Sequence, residues 1–437
     1  MKKIYLFYFL CCFLWSCEDK SNNTSSKIQN QEKENNQEDI ESYQKNKSNQ
    51  DDITPFAERF VKAIQTNEAK LLATQNNQFA LNFYEKLKNT TKDQNLFFSP
   101  FSLYTALGML YVGTSNAGKQ ELAQVLGVQN IPKIGEAYYH LQGSILKEIS
   151  PSAEIALNNS IWINEQANIL SKYEKQLKEN FETESFRGNL SKPENIKKIN
   201  DWVSKNTRGR IPTIIETDAD NIDPTLILLN AIYFRGNWAE SYAFEETNTQ
   251  KNDFTLMSSK KIKVDMMKKS GGHYPYFETP FFQMIGIPYK DEKSFLYIIL
   301  PKTTTNLLNV EQSFTPENLK LWLSSTKYMA AEVVAMPKIK LETEFDAISI
   351  LKNMGIKSVF DSVNTIHLNE TDETKTLFVS KVIHKTFLDI NEKGTEAAAV
   401  TEIEEYKKDA DAVREKPILI NFIANRPYMF FIADKDL

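Results

Sequence analysis

The chain has little cysteine, and all of it lies at the start. The three cysteines are Cys11, Cys12 and Cys17, so the remaining residues hold no disulfide framework, even in an oxidising compartment. The four histidines are scattered, and none has a second histidine or a carboxylate at the spacing of a His-Glu-x-x-His zinc helix. The sequence therefore predicts no metal site and no cofactor.

Catalytic motifs are also lacking. The sequence contains no Gly-x-Ser-x-Gly elbow, no Walker phosphate loop and no Rossmann glycine fingerprint. A Ser/His/Asp triad assembled only in space would leave no such motif. We predict that the protein is not an enzyme.

The chain lacks an excess of positive charge. Its formal net charge is −5 and its pI is about 5.7, a balance that argues against a nucleic-acid partner. No compact basic face is visible in the sequence, so a heparin-type cofactor is not indicated. Aromatic residues make up 11% and apolar residues 41% of the chain, which predicts a well-filled core.

Residues 1–16 begin with two lysines and continue as an apolar run. The run is too short to span a bilayer and has the length of a signal-peptide core. It ends in Leu14-Trp15-Ser16-Cys17, which resembles the lipobox of bacterial lipoproteins, although Trp15 is bulkier than that motif usually carries. We predict a lipoprotein signal peptide over residues 1–16; a plain secretory signal is the alternative.

The resemblance to a lipobox implies that Cys17 carries lipid. The protein would then be secreted across the inner membrane and anchored in the bacterial cell envelope, at the outer membrane or the cell surface. Residues 17–54 are Asn, Gln, Ser, Lys and Glu with almost nothing apolar, so they cannot offset the cost of ordering and are predicted to be a flexible tether. Residues 55–437 are predicted to form the folded domain.

Within this domain, apolar patterning predicts helices and strands without regular βαβ alternation. The predicted helices are Gln78–Lys88, Glu194–Thr207 and Glu344–Met354, with a further helix that begins at Pro100. The predicted strands are Ala153–Asn164, Thr225–Gly236, Ala331–Leu341 and Thr376–Ile390, a hairpin over Phe281–Pro301, and two strands within Pro417–Ala433 that are separated by a turn at Asn425-Arg426-Pro427. This mixture indicates an α+β fold with antiparallel or mixed sheets that carry helices on a face.

The stretch Glu392–Lys408 is rich in small side chains and joins two of the predicted strands. One interpretation is a surface helix, because Thr395 can cap it and its alanines favour helix. The other is a segment that itself becomes a strand, because nothing bulky would obstruct its passage between two others. The residues of this stretch alone leave both open.

Several polar residues interrupt apolar elements. A buried amide must be hydrogen-bonded, so Asn230, within a predicted central strand, predicts a buried polar partner. His384 lies in another apolar strand and is the natural partner for Asn230 and for a serine hydroxyl. Ser99 and Ser102 are placed to cap the helix that begins at Pro100, or to join this network.

Three stretches together resemble the signatures of the serpin family, in serpin order and spacing: Asn95–Leu110, Leu228–Trp238 and Asp389–Thr401. The resemblance covers the chain from about residue 74 onward. It implies three β-sheets with about nine helices and an exposed reactive-centre loop. It also implies suicide inhibition by a monomer: a protease cleaves the loop, the freed segment inserts as a new strand, and the protease stays trapped in a covalent complex.

The resemblance also assigns residues to sites. A polar cluster beneath the central strands, the shutter, would be Ser99, Ser102, Asn230 and His384. The breach, where insertion begins, would be Trp238, Lys338 and Glu392, with Lys338 and Glu392 as an ion pair. The hinge of the loop would be Gly394, Thr395, Glu396, Ala397, Ala398, Ala399, Val400 and Thr401.

Two counts place the scissile bond differently. Counting from Gly394 puts it between Lys408 and Asp409, with Lys407 one residue earlier, whereas counting back from the turn at residues 425–427 favours Arg414. Each candidate is basic, which implies a trypsin-like serine protease, or a lysine- or arginine-specific cysteine protease, as the target.

Two features depart from the family pattern. In an inserted strand Glu405 would face the core, where a carboxylate is costly. Serpins normally continue beyond the position of Leu437 through one more strand, so either the sequence is truncated or one sheet lacks a strand. These departures favour the alternative of a non-inhibitory serpin that acts as a binding module or is cleaved as a substrate.

Overall fold

The computed structural model describes residues 11–13, 64–90, 95–148, 153–167, 169, 171–215, 226–290, 292–361, 378–395 and 419–434. Nine α-helices lie within these ranges: α1 Asn67–Leu87, α2 Pro100–Gly113, α3 Asn116–Leu126, α4 Ile134–Glu148, α5 Ser171–Phe181, α6 Pro193–Asn206, α7 Leu307–Gln312, α8 Pro316–Ser324 and α9 Ile348–Met354. Among the described helices, none is both long and apolar enough to cross a membrane.

The described ranges also contain sixteen strands: β1 Cys11–Phe13, β2 Leu96–Phe98, β3 Ala153–Asn164, β4 Glu184–Gly188, β5 Leu226–Asn237, β6 Gln250–Thr255, β7 Lys261–Ser270, β8 His273–Glu278, β9 Phe282–Pro288, β10 Ser294–Pro301, β11 Lys327–Pro337, β12 Ile339–Asp346, β13 Val379–Asn391, β14 Gly394–Thr395, β15 Ile420–Ile423 and β16 Met429–Asp434.

The central sheet has six strands in the order β12-β13-β14-β5-β3-β4. Strands β5 and β13 pair in parallel over eight register pairs, from Val379 opposite Leu226 to Phe387 opposite Tyr233. Beyond those pairs, β14 lies between them and is antiparallel to both. The central sheet is therefore closed along most of the β5–β13 contact and open to a third strand at one end.

The other strands are ordered β2-β1-β16-β10-β9-β8-β11-β7-β6, with β15 also paired to β11. The first part of β11 pairs with β8 and the second part with β7. This strand is therefore shared by two sheets, and with the central sheet the described ranges contain three. Strand β1 comes from the predicted signal peptide and lies between β2 and β16. The division of the chain into signal peptide, tether and domain stays a prediction.

Helices cover both faces of the central sheet. On one face, Ile196, Ile199 and Val203 of α6 belong to a buried cluster with side chains of β5 and β13, among them Leu229 and Ile383. On the other face α2 packs against β5 and β3. Helix α2 begins as expected, because the Ser99 hydroxyl accepts the backbone N–H of Ser102 at 3.3 Å and Pro100 takes the first helical position.

The structure corrects the prediction of one strand over Ala331–Leu341. Strand β11 ends at Pro337 and β12 begins at Ile339, and the two strands belong to different sheets. Lys338 lies between them, and its N–H donates to the carbonyl of Asp265 at 2.8 Å. A stretch of mainly apolar residues does not by itself show where a strand leaves one sheet for another.

The predicted helix Glu344–Met354 is also wrong at its start, since α9 begins at Ile348. In β12 exposed charged residues alternate with half-buried ones up to Asp346, the period of a strand with one face on the core. The end of the helix is as predicted, at Gly355 with a φ of 114°.

Candidate functional site

The first two residues predicted for the hinge form β14. Gly394 lies opposite Asn391 and Asn237, and Thr395 opposite Ile390 and Gly236. Gly394 has a φ of 145°, and a Cβ there would overlap the carbonyl oxygen of Gly236. Only glycine allows this approach, and the Thr395 side chain that follows it is fully buried.

The turn from β13 into β14 is tied to the end of β5. The backbone N–H of Trp238 donates to the carbonyl of Lys393 at 3.0 Å, and its indole N–H donates to the carbonyl of Asn391 at 3.0 Å. The backbone N–H of Phe244 donates to the carbonyl of Glu392 at 2.9 Å. Thus the segment before the hinge is fixed through its main chain.

The Glu392 side chain makes the predicted ion pair. Its Oε1 lies 2.7 Å from Lys338 Nζ and accepts the Thr249 hydroxyl at 2.6 Å. Burial raises the pKa of this carboxyl, but the hydrogen bonds from Lys338 and Thr249 outweigh burial, so the pKa of Glu392 lies below its usual range. Lys338 is 43% exposed while Glu392 is 5% exposed, so the pair bridges the interior and the solvent.

A second polar group lies midway along the β5–β13 contact, where Asn230 and His384 are register partners. Burial lowers the pKa of His384 to about 3, so the imidazole is neutral. Its Nε2 accepts the backbone N–H of Ser99 at 3.0 Å, which assigns the proton to Nδ1. Nδ1 then donates to Asn230 Oδ1.

The Asn230 amide completes this network by donating to Ser102 Oγ and to Asn159 Oδ1. All five residues, Ser99 included, are buried. The network therefore links β13 to β5, β3 and the start of α2 with neutral, hydrogen-bonded groups. Separating β5 from β13 would break it together with the eight register pairs.

The four predicted shutter residues lie in one network. The predicted breach residues lie around the turn that leads into Gly394 and Thr395. Glu396 to Thr401, the candidate scissile residues Lys407, Lys408, Asp409 and Arg414, and Cys17 lie outside the described residues. The functional roles of these residues stay predictions.

Sequence reasoning missed three residues of this site: Asn159, Thr249 and Tyr289, whose hydroxyl lies 2.9 Å from the Thr395 hydroxyl. Asn159 gave the same signal as Asn230, a polar amide inside an apolar strand. Thr249 and Tyr289 gave none, because each is recruited through long-range pairing of strands.

The geometry has counterparts among known proteins. A family profile described as "Serpin (serine protease inhibitor)" matches residues 74–437. The chain belongs to the serpin family. The family is one of protease inhibitors and not of enzymes, and membership supports serine protease inhibition, in general terms, for this serpin.

Curated relatives match this serpin over most of their length. Human Serpin B11 is 30% identical over 383 residues, which are 83% of this chain and 95% of the relative. Serpin B6 of Pongo abelii is 32% identical over 375 residues, with 83% and 95% covered. Leukocyte elastase inhibitor of Equus caballus is 30% identical over 370 residues, with 83% and 95% covered.

Solved structures confirm the α+β serpin fold. Human thyroxine-binding globulin has a TM-score of 0.73 at 24% identity, covering 84% of this chain and 95% of that one. Serpin48 of the insect Tenebrio molitor has a TM-score of 0.73 at 23% identity, with 86% and 97% covered. At these identities the likeness concerns the fold alone.

Replacing Asn230 by alanine is expected to destabilise this serpin. The change leaves buried groups of His384, Ser102 and Asn159 without their Asn230 contacts, at about 1–3 kcal/mol for each group left unsatisfied. The free energy of unfolding in urea measures the loss. Asn252→Ala, at an exposed strand position, is the matched control, and equal effects of the two changes would contradict a stabilising network.

The Glu392 carboxyl is expected to make stability depend on pH. Because its folded-state pKa is lowered, its contribution is complete above the ordinary glutamate pKa of about 4.3 and is lost as pH falls through the folded-state value. The stability difference between the parent and Glu392→Gln should therefore shrink between pH 6 and pH 3. Glu136→Gln, at an exposed carboxyl, is the control, and a difference that stays constant with pH would contradict the assignment.

Proposed function

We propose that this serpin is a suicide-substrate inhibitor of trypsin-like, Lys/Arg-specific serine proteases, with cysteine proteases of the same specificity as further targets. The position of β14 carries the proposal. Gly394 and Thr395 already pair with strands on both sides, so the segment that follows can extend β14 by the same pattern. The inserted strand would be antiparallel to both neighbours, and antiparallel pairs are slightly more stable per residue than parallel ones.

Insertion is opposed before cleavage. Extending β14 by even a few residues requires β5 and β13 to separate, with loss of their register pairs and of the Asn230–His384 contact. An uncut loop is anchored at both ends and cannot enter fully. Cleavage frees one end, and the backbone hydrogen bonds of a new strand on both sides then favour opening.

The chemistry of trapping follows from this competition. The protease serine attacks the carbonyl of the scissile residue and forms an ester, and the part of the loop after that bond leaves with a new amino terminus. Insertion carries the ester-bound protease away from the new amino terminus and distorts it before water attacks the ester. A basic scissile residue, Lys408, Lys407 or Arg414, fits a specificity pocket that ends in a carboxylate.

The composition of the loop supports insertion of the hinge but opposes insertion of the residues that follow it. Ala397, Ala398 and Ala399 are small enough to pass between strands, whereas Glu405 would face the core. Glu405 therefore favours the second candidate, a non-inhibitory serpin whose loop is cleaved as a substrate.

We also propose that the domain is held at a bacterial cell envelope by lipid on Cys17. The support is the apolar run before Cys17 and the polar composition of residues 17–54. A tether of this composition gives the domain reach above the membrane. Globomycin, which blocks lipoprotein signal cleavage, should leave the uncleaved precursor.

Mixing the purified protein with trypsin is expected to give a complex at the summed mass that survives boiling in denaturant. Cleavage without that complex would favour the substrate candidate. Lys408→Ala should move or abolish the cut if Lys408 is the scissile residue, and Arg414→Ala should do so if Arg414 is. Lys407→Ala tests the third candidate in the same way, and the mass of the released fragment separates the three.

Thr395→Arg is expected to turn the inhibitor into a substrate. Thr395 is fully buried, and an unpaired buried charge costs several kcal/mol, which would raise the ratio of cleaved to trapped protein roughly tenfold or more. Glu396→Arg is the matched control, because adjacent residues of an inserted strand face opposite sides. Equal trapping by the parent and Thr395→Arg would rule out insertion as the mechanism.

A further inference from the structure

One side chain outside the loop touches the inserted end of the hinge. The hydroxyl of Tyr289 lies 2.9 Å from the Thr395 hydroxyl, and either can donate. Both residues are fully buried. Tyr289 follows β9 in a different sheet from β14, so the contact joins the hinge to a second part of the fold.

The backbone at Tyr289 is held firmly against the end of β5. Its N–H donates to the carbonyl of Ser294 at 2.9 Å, and the N–H of Lys290 donates to the carbonyl of Asn237 at 2.8 Å. Tyr289 also forms an isolated antiparallel bridge with Trp238. The main chain therefore cannot turn the ring away from the hinge without breaking these bonds.

The ring itself is enclosed. It stacks on Trp238 with centroids 4.9 Å apart and meets Phe234 edge-on at 5.2 Å. A Cβ at Gly236 would lie 2.8 Å from Tyr289 Cδ1, so the glycine leaves room for the ring. These contacts fix the direction of the hydroxyl, which meets Thr395 in the slot between β5 and β13.

We propose that Tyr289 is a positioning residue for loop insertion, and that its hydroxyl holds the first inward residue of the hinge in the sheet before a protease arrives. The inference rests on the proposed inhibitory function. Trapping requires insertion to be faster than hydrolysis of the ester. A hinge whose first residues are already paired in the sheet needs no further step to reach the insertion site. Without the contact between Tyr289 and Thr395, insertion would be slower and a larger fraction of the ester would hydrolyse.

Tyr289→Phe separates this role from packing, because it keeps the ring and removes only the hydroxyl. Without protease, amide hydrogen exchange at Gly394 and Thr395 should become faster, and with trypsin the ratio of cleaved to trapped protein should rise, each by roughly threefold to tenfold for one lost hydrogen bond. Thr395→Val removes the other partner and should act in the same direction. The double variant should be no worse than either single variant, since both remove one contact.

Tyr274→Phe is the matched control. Tyr274 is buried, and its hydroxyl has no hydrogen-bond partner among the residues that the structure describes. The same chemical change there should leave both exchange and trapping as in the parent. Thermal unfolding of every variant checks that the domain is folded.

Three outcomes decide the inference. Faster exchange and poorer trapping in Tyr289→Phe, but not in Tyr274→Phe, support it. Unchanged trapping in Tyr289→Phe, with or without faster exchange, overturns the positioning role. If the parent forms no trapped complex, the proposed function fails. The exchange measurement still tests whether the Tyr289 hydroxyl holds Thr395 in the sheet, and unchanged exchange in Tyr289→Phe would overturn that role as well.

Discussion

The parallel contact between β5 and β13 is the constraint on which the rest of the molecule depends. These strands are direct neighbours over eight register pairs, yet at one end they part to hold β14. Helix α6 lies over both strands on one face and buries their side chains in one cluster. A change in the width of this sheet must therefore move α6 and break the register pairs together, which makes partial widening costly.

The two polar groups along this contact differ in charge, and the difference suits their positions. The Asn230–His384 network is neutral, so its separation would leave no buried charge, whereas an isolated ion in the same place would cost several kcal/mol. A protonated His384 could not accept the Ser99 N–H, and burial keeps it neutral. The charged pair of Lys338 and Glu392 lies instead where Lys338 reaches solvent.

Local patterning predicted much of this arrangement. The bounds of β3 match the prediction, and the polar residues Asn230 and His384 indicated a shared buried network because neither tolerates burial alone. The ion pair of Lys338 and Glu392 came from family resemblance, since nothing in the local sequence links residues so far apart. The break at Lys338 and the recruitment of Thr249 and Tyr289 escaped prediction for one physical reason. A sequence pattern shows which face of an element is buried, but the partner on that face is decided by how distant strands pair.

The absence of side chains at two positions explains why the sheet opens where it does. Gly394 has no Cβ to collide with the carbonyl of Gly236, and Gly236 has none to collide with the ring of Tyr289. The backbone of the hinge can therefore lie close to β5 while the aromatic ring closes the space above it. A larger residue at either position would push the strands apart, and Gly394 and Thr395 would lose their pairing with β5. The gap between β5 and β13 is therefore wide enough to hold Thr395 and narrow enough to bury it completely.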